Sequence, residues 1–172
     1  MSDYRRVFIP GGTYFFTVVT WHRRPLLASD RRVRHLREAF AHVRTTRPFR
    51  IEAIVILPDH LHCLWTLPPN DADYPGRWRE IKKRFSRRVD LATNDRNERF
   101  VWQRRYYEHT IRDQQDWRRH LDSIHYNPVK HGFVKKASEW PYSSFRTALQ
   151  RGWYEESWGD SAPENLDSVE LE

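Results

Sequence analysis

The sequence predicts an α+β domain of ferredoxin-like (RRM-like) type: an antiparallel sheet with helices on one face, plus an additional C-terminal helix. Three observations lead there. β-Branched and aromatic runs mark four strands, and apolar residues three and four apart mark three helices. Their order is strand, helix, strand, strand, helix, strand, and then one helix more. The 172 residues suffice for one domain with a real core.

Gly11 and Gly12 precede a first strand over 13–20, rich in Tyr14, Phe15, Phe16, Val18 and Val19. Ser29 or Asp30 caps a helix over 31–45, where Val33, Leu36, Phe40 and Val43 recur on one side. Pro48 ends it. Ile51, Ile54, Val55 and Ile56 carry a second strand over 51–57. Pro58 and Asp59 turn the chain into a third strand over 60–67, and so short a turn predicts an antiparallel hairpin. A helix over 77–89 places Trp78, Ile81, Phe85 and Val89 inward. Its other face carries Arg77, Arg79, Lys82, Lys83, Arg84, Arg87 and Arg88. Residues 92–99 read as a polar loop, and 101–111 as a fourth strand. The third helix, over 114–126, turns Trp117, Leu121 and Ile124 inward and stops at Asn127 and Pro128.

Charge narrows the function. Residues 152–172 hold seven acids and no Lys or Arg, and read as an acidic, solvated tail. That leaves 30 basic and 16 acidic residues in 1–151, a body of net charge +14. A compact body of that charge suits a polyanion, and nucleic acid is the usual one. No run approaches the ~20 apolar residues of a membrane span. The start, Met1 to Arg6, has no apolar signal region behind it, so a cytoplasmic protein is expected. One cysteine, Cys63, excludes an internal disulfide framework and a cysteine zinc cluster.

His60 and His62 stand two apart on the third strand, so both imidazoles share one sheet face and can ligate one divalent ion. Leu61 points the other way, into packing. Asp59 sits in the turn and is expected to point away from the pair. Asn127 is a candidate third ligand through its amide oxygen; it also reads as a helix cap. The basic face over 77–88 can track a phosphate backbone. Trp21, Trp65, Trp102, Tyr106 and Tyr107 are candidate stacking platforms for unpaired bases.

The run Pro58, Asp59, His60, Leu61, His62, Cys63 resembles the HUH motif (His, hydrophobic, His) of single-tyrosine transposases, most closely the REP-associated tyrosine transposases. Supporting segments are Tyr4-Arg5-Arg6, Gly11 to Val18, Arg79 to Phe85, Asn127 to Gly132 and Trp140 to Phe145. They run from residue 4 to about 160. The resemblance implies a metal-dependent single-stranded DNA endonuclease and strand transferase, with residues 1–151 as the working domain. It implies Mg²⁺ or Mn²⁺ held by His60, His62 and Asn127, and a 5′-phosphotyrosine intermediate. It implies a monomer, associated with the nucleoid, whose partners are single-stranded hairpins of palindromic repeats. Arg5, Arg6, Arg24, Arg79, Lys82, Lys83, Arg104, Lys130 and His131 are the implied DNA contacts.

The chain departs from the pattern at the nucleophile. The family's tyrosine lies four residues before that Asn, where this chain has Ser123. Serine is shorter, and its hydroxyl is far less acidic than a phenol of pKa about 10. Tyr126 is the nearest substitute, about 60° away around the helix. Ser123 leaves open a second reading: a hairpin-binding protein of the same fold without chemistry.

Overall fold

The computed structural model describes residues 5–91, 96 and 100–166. Its strands are β1 (Thr13–Val19), β2 (Arg50–Ile56), β3 (His60–Thr66) and β4 (Tyr107–Thr110). Its helices are α1 (Asp30–Thr46), α2 (Tyr74–Arg87), α3 (Gln114–Lys130) and the short α4 (Phe145–Gln150). The sheet order is β2-β3-β1-β4, with every neighbouring pair antiparallel. This is the ferredoxin-like arrangement.

Both central strands are buried almost throughout, because both sheet faces are covered. Tyr14, Phe16, Val18, Leu61, Cys63 and Trp65 point into a core closed by α1 and α2. Phe15, Leu64, Ala53 and Val55 point into a second core with Leu121 and Ile124 of α3. The additional helix therefore lies on the face opposite α1 and α2.

Several elements differ from the sequence reading. The fourth strand is only four residues long. Trp102 makes a single bridge to Thr20, and the exposed, non-alternating Arg104 and Arg105 separate it from β4. Residues 92–95 and 97–99 of the expected loop lie outside the described residues. Helix α3 runs on through Pro128 to Lys130. Proline removes one backbone donor, and the helix ends instead at Gly132, whose φ of 76° suits a left-handed terminus. Asn127 is thus inside the helix and is not its cap.

Arg77 was expected on the outer face of its helix but is 2% exposed. Position 77 falls on the inward stripe with Tyr74, Trp78 and Ile81. Its guanidinium meets both Asp71 oxygens, at 2.8 and 2.9 Å. It also donates to the carbonyls of Arg47, Pro48 and Asp73, tying the end of α1 to the start of α2.

The acidic C-terminal stretch is not a solvated tail as far as residue 166. It carries Trp153, Tyr154 and Trp158, and these aromatics pack against Phe145 and α3. Asn165 donates to Asp122 at 2.8 Å, and Arg118 to the Trp153 carbonyl at 2.9 Å. Tyr154 gives its proton to Asp122 at 2.8 Å. Its oxygen can then accept from His125 Nδ1, 2.9 Å away, leaving His125 Nε2 to accept from Ser144. Burial, and the Arg118 charge after it, push the His125 pKa down to about 3.

Two outcomes follow. Arg77→Ala takes away the donors that the carbonyls of Arg47, Pro48 and Asp73 rely on, and should cost about 1–3 kcal/mol in urea unfolding, the range for leaving buried polar groups unpaired. Neutral His125 stabilises the fold above pH 6.5, its unfolded value. As pH falls from there towards 3, the unfolded chain takes up a proton that the folded chain refuses, so stability is lost. In His125→Phe the slope of unfolding free energy between about pH 6 and 4 should drop by up to 1.4 kcal/mol per pH unit. An unchanged slope would refute this.

Candidate metal centre and nucleic-acid interface

The β1–β3 register builds the centre. His62 pairs with Thr17 and His60 with Val19, so both imidazoles emerge on the α3 face. Their ring centroids are 4.9 Å apart, at 79°. Each ring is gripped through Nδ1. Thr17 Oγ1 lies 2.8 Å from that of His62. Asp59 Oδ1 lies 2.6 Å from that of His60. A carboxylate only accepts, so the proton of His60 is on Nδ1 and its lone pair is on Nε2.

Asp59 was expected to point away from the pair, and it does not. A turn residue is not bound by strand alternation, and its side chain folds back over the next imidazole. Its backbone is pinned by Thr20, whose N–H donates to the Asp59 carbonyl at 2.9 Å. Arg23 reaches its other oxygen at 3.4 Å, from a segment where His22 and Arg23 both hold left-handed φ. Burial works to raise the Asp59 pKa; the hydrogen bond and charge of His60, then Arg23, hold it below the usual value. Burial lowers the pKa of His60 against the pull of Asp59, and holds His62 far below its ordinary value with help from His60. Both rings are therefore neutral near pH 7, the form that ligates metal.

Helix α3 crosses above the pair. At one end His120 packs on Phe15, whose ring stacks on His62 at 5.6 Å. At the other end the His131 ring lies 5.6 Å from that of His60. Ser123 and Asn127 lie between these two contacts and are 3% and 1% exposed. The buried Nε2 atoms of His60 and His62, and both amide atoms of Asn127, have no hydrogen-bond partner in the protein. An unsatisfied buried polar group costs about 1–3 kcal/mol, so this convergence fits an ion bound among them. Tyr126 turns elsewhere, with its ring 6.3 Å from that of Trp158.

A second group, His109, Asp116 and His120, has donor atoms within 4.8 Å of one another. The two imidazoles stack at 4.6 Å and 16°, so their ring nitrogens lie in nearly parallel planes. Asp116 takes hydrogen bonds from His109 and from the Arg112 N–H, at 2.8 and 2.9 Å. This geometry braces β4 against α3 and suits an ion less well than the first site. Sequence reasoning missed this brace, Asp59, Thr17 and Arg23. Only Asp59, adjacent to the motif, left a trace in the sequence.

The candidate DNA-contacting side chains fall into groups. Lys130 and His131 are exposed at the end of α3 beside the pair. Arg6 lies 4.0 Å above the Tyr106 ring and Lys82 5.1 Å from it, with Arg79 nearby. Burial, then Arg6, lowers the Lys82 pKa to about 8. Arg24 donates to the Phe100 carbonyl at 2.6 Å. Arg5, Lys83 and Arg104 are exposed, and Tyr4 lies outside the described residues. Of the aromatic candidates, Trp65 and Trp102 are core, whereas Tyr107 is 44% exposed beside Thr17. No helix among the described residues is long and apolar enough to cross a membrane.

A ferredoxin-like sheet with paired histidines under a covering helix defines a class. The profile of the family described as "Transposase IS200 like" matches residues 10–119. A REP-associated tyrosine transposase from Escherichia coli (strain K12) is 48% identical over 158 residues, 92% of this chain and 91% of that protein. A relative from Haemophilus influenzae is 43% identical over 166 residues, 92% of this chain and 94% of its own. A solved REP-associated tyrosine transposase bound to a REP hairpin is 43% identical, with a TM-score of 0.82. That match covers 98% of this chain and 99% of the other. The chain belongs to the REP-associated tyrosine transposases, a family of DNA-cleaving enzymes.

Asp59→Ala should weaken Mn²⁺ binding about 10–100-fold in calorimetry, the usual loss when the partner orienting a histidine ligand is removed. An unchanged affinity would show that Asp59 does not serve the pair.

Proposed function

We propose that this chain binds folded single-stranded DNA hairpins of REP type and holds a divalent ion, Mg²⁺ or Mn²⁺, through His60, His62 and Asn127. The carrying observation is the set of partnerless buried atoms on those three residues. When bound, such an ion stabilises negative charge growing on the oxygens of a scissile phosphate.

The protein's own groups do the rest. Asp59 and Thr17 fix the two ring orientations. Lys130 gives the mouth of the site a positive charge for the phosphate backbone, and the His131 ring beside it offers a hydrogen bond to a phosphate oxygen. Arg6, Arg79 and Lys82 form a second basic cluster around Tyr106, and Arg5, Arg24, Lys83 and Arg104 extend it over the surface. Tyr107, exposed on the site's own face, offers a stacking surface for an unpaired base.

Ser123 occupies the position from which the family's tyrosine attacks. Its hydroxyl falls a phenyl ring short of a tyrosine oxygen, and Tyr126, packed on Trp158, does not replace it. The chain therefore keeps the scaffold of a single-strand endonuclease and strand transferase without its covalent step. Ser123 also favours a second reading, in which hairpin binding without cleavage is the protein's task. In either reading the chain acts as a cytoplasmic, nucleoid-associated monomer.

The test uses a labelled hairpin with a single-stranded foot and Mn²⁺, read on a denaturing gel. The protein as it stands should bind without nicking. Ser123→Tyr should nick the foot and give a covalent protein–DNA adduct. An adduct from the unmodified chain that disappears in Tyr126→Phe would overturn the assignment of the nucleophile position.

A further inference from the structure

Helices α1 and α2 cover the sheet face opposite His60 and His62, and two hollows open on their outer side. One, of about 320 Å³, is lined by His35, His42, Arg84, Arg87 and Arg88, with Glu38 as its acid. The other, of about 480 Å³, reaches the start of α1 and is lined by Arg31, Arg32, His35 and Arg88, with Asp90 as its acid. They share His35 and Arg88 and form one trough.

Its charges are not balanced. Glu38 is taken up by an ion pair with Arg88. Among the described residues that line it, Arg31, Arg32, Arg84 and Arg87 then face one remaining carboxylate, Asp90. Crowding like charges into a concave surface costs free energy unless a polyanion relieves it. His35 marks the same place independently. It lies at the join of the two hollows and is 9% exposed, and its buried Nδ1 has no partner in the protein. Burial and the guanidiniums of Arg88, Arg31 and Arg34 keep its pKa below the ordinary value, so the ring is neutral. A neutral imidazole can give an oxyanion one hydrogen bond.

Among the described residues no Phe, Tyr or Trp lines the trough, so its lining offers no platform for unpaired bases. Contacts to phosphate alone are the signature of backbone binding without base readout. We propose that the α1–α2 trough binds the backbone phosphates of a duplex DNA segment, on the side of the chain away from the metal centre. This rests on the reading of the chain as a DNA-binding protein, and it adds a second DNA-contacting face.

A blunt-ended duplex with no single-stranded foot tests it, by fluorescence anisotropy in EDTA between 50 and 200 mM salt. Each phosphate contact adds about 0.9 to the slope of log K against log salt, so Arg31→Gln with Arg87→Gln should lower that slope by about 2. Glu38→Gln should tighten binding. Neither change should alter nicking of the hairpin foot by the Ser123→Tyr protein. Slopes and affinities equal to the parent's in all variants, or binding of phosphatidylserine vesicles and no duplex, would overturn the proposal. Duplex binding that weakens as predicted, alongside an inert Ser123→Tyr protein, supports the trough and counts against the catalytic reading alone.

Discussion

The pairing of β1 with β3 is the constraint on which the site depends. Thr17 opposite His62 sets which residues of β3 face α3 and which face α1 and α2. Side chains alternate, so a slip of one residue would bury both imidazoles in the aromatic core and expose Leu61 and Cys63 to α3. The core prevents this. Trp65, stacked on Trp78 at 4.4 Å, and Phe16, packed against both, fit only one of the two faces. Packing remote from the histidines thus decides where they point.

Much of this was legible in the sequence. The order of elements follows from β-branched runs and helical spacings, and the shared face of His60 and His62 follows from strand alternation alone. What escaped has identifiable causes. Pro128 reads as a helix stop, yet a proline costs one donor and the segment to Gly132 supplies its own ending. Arg77 reads as a surface cation because burial of a guanidinium needs Asp71 and three carbonyls in place, and only the folded chain assembles those. The C-terminal segment reads as solvated from its acids, while its aromatics decide where residues 153–158 go.

The centre was less legible than the fold. The pair and Asn127 announce themselves by residue type and motif. Their supports do not. Thr17 is one β-branched residue among several in its strand, and only the register shows that it meets His62. Asp59 obeys the geometry of a turn, and strand alternation misplaces it. His109, Asp116 and His120 come together only once β4 and α3 are docked.

The turn at Pro58 and Asp59 has one further consequence. The tip of a hairpin is ordinarily where a chain tolerates extra residues. Here the Leu27 N–H donates to the Pro58 carbonyl and the Thr20 N–H to that of Asp59. The tip is clamped by the segment that leaves β1 and is joined to His60, the first histidine of the pair, without a spacer. Lengthening it by one residue would break those bonds and rotate His60 off the site while leaving both cores intact. The hairpin tip, usually the freest stretch for evolutionary drift, is in this protein among the least negotiable.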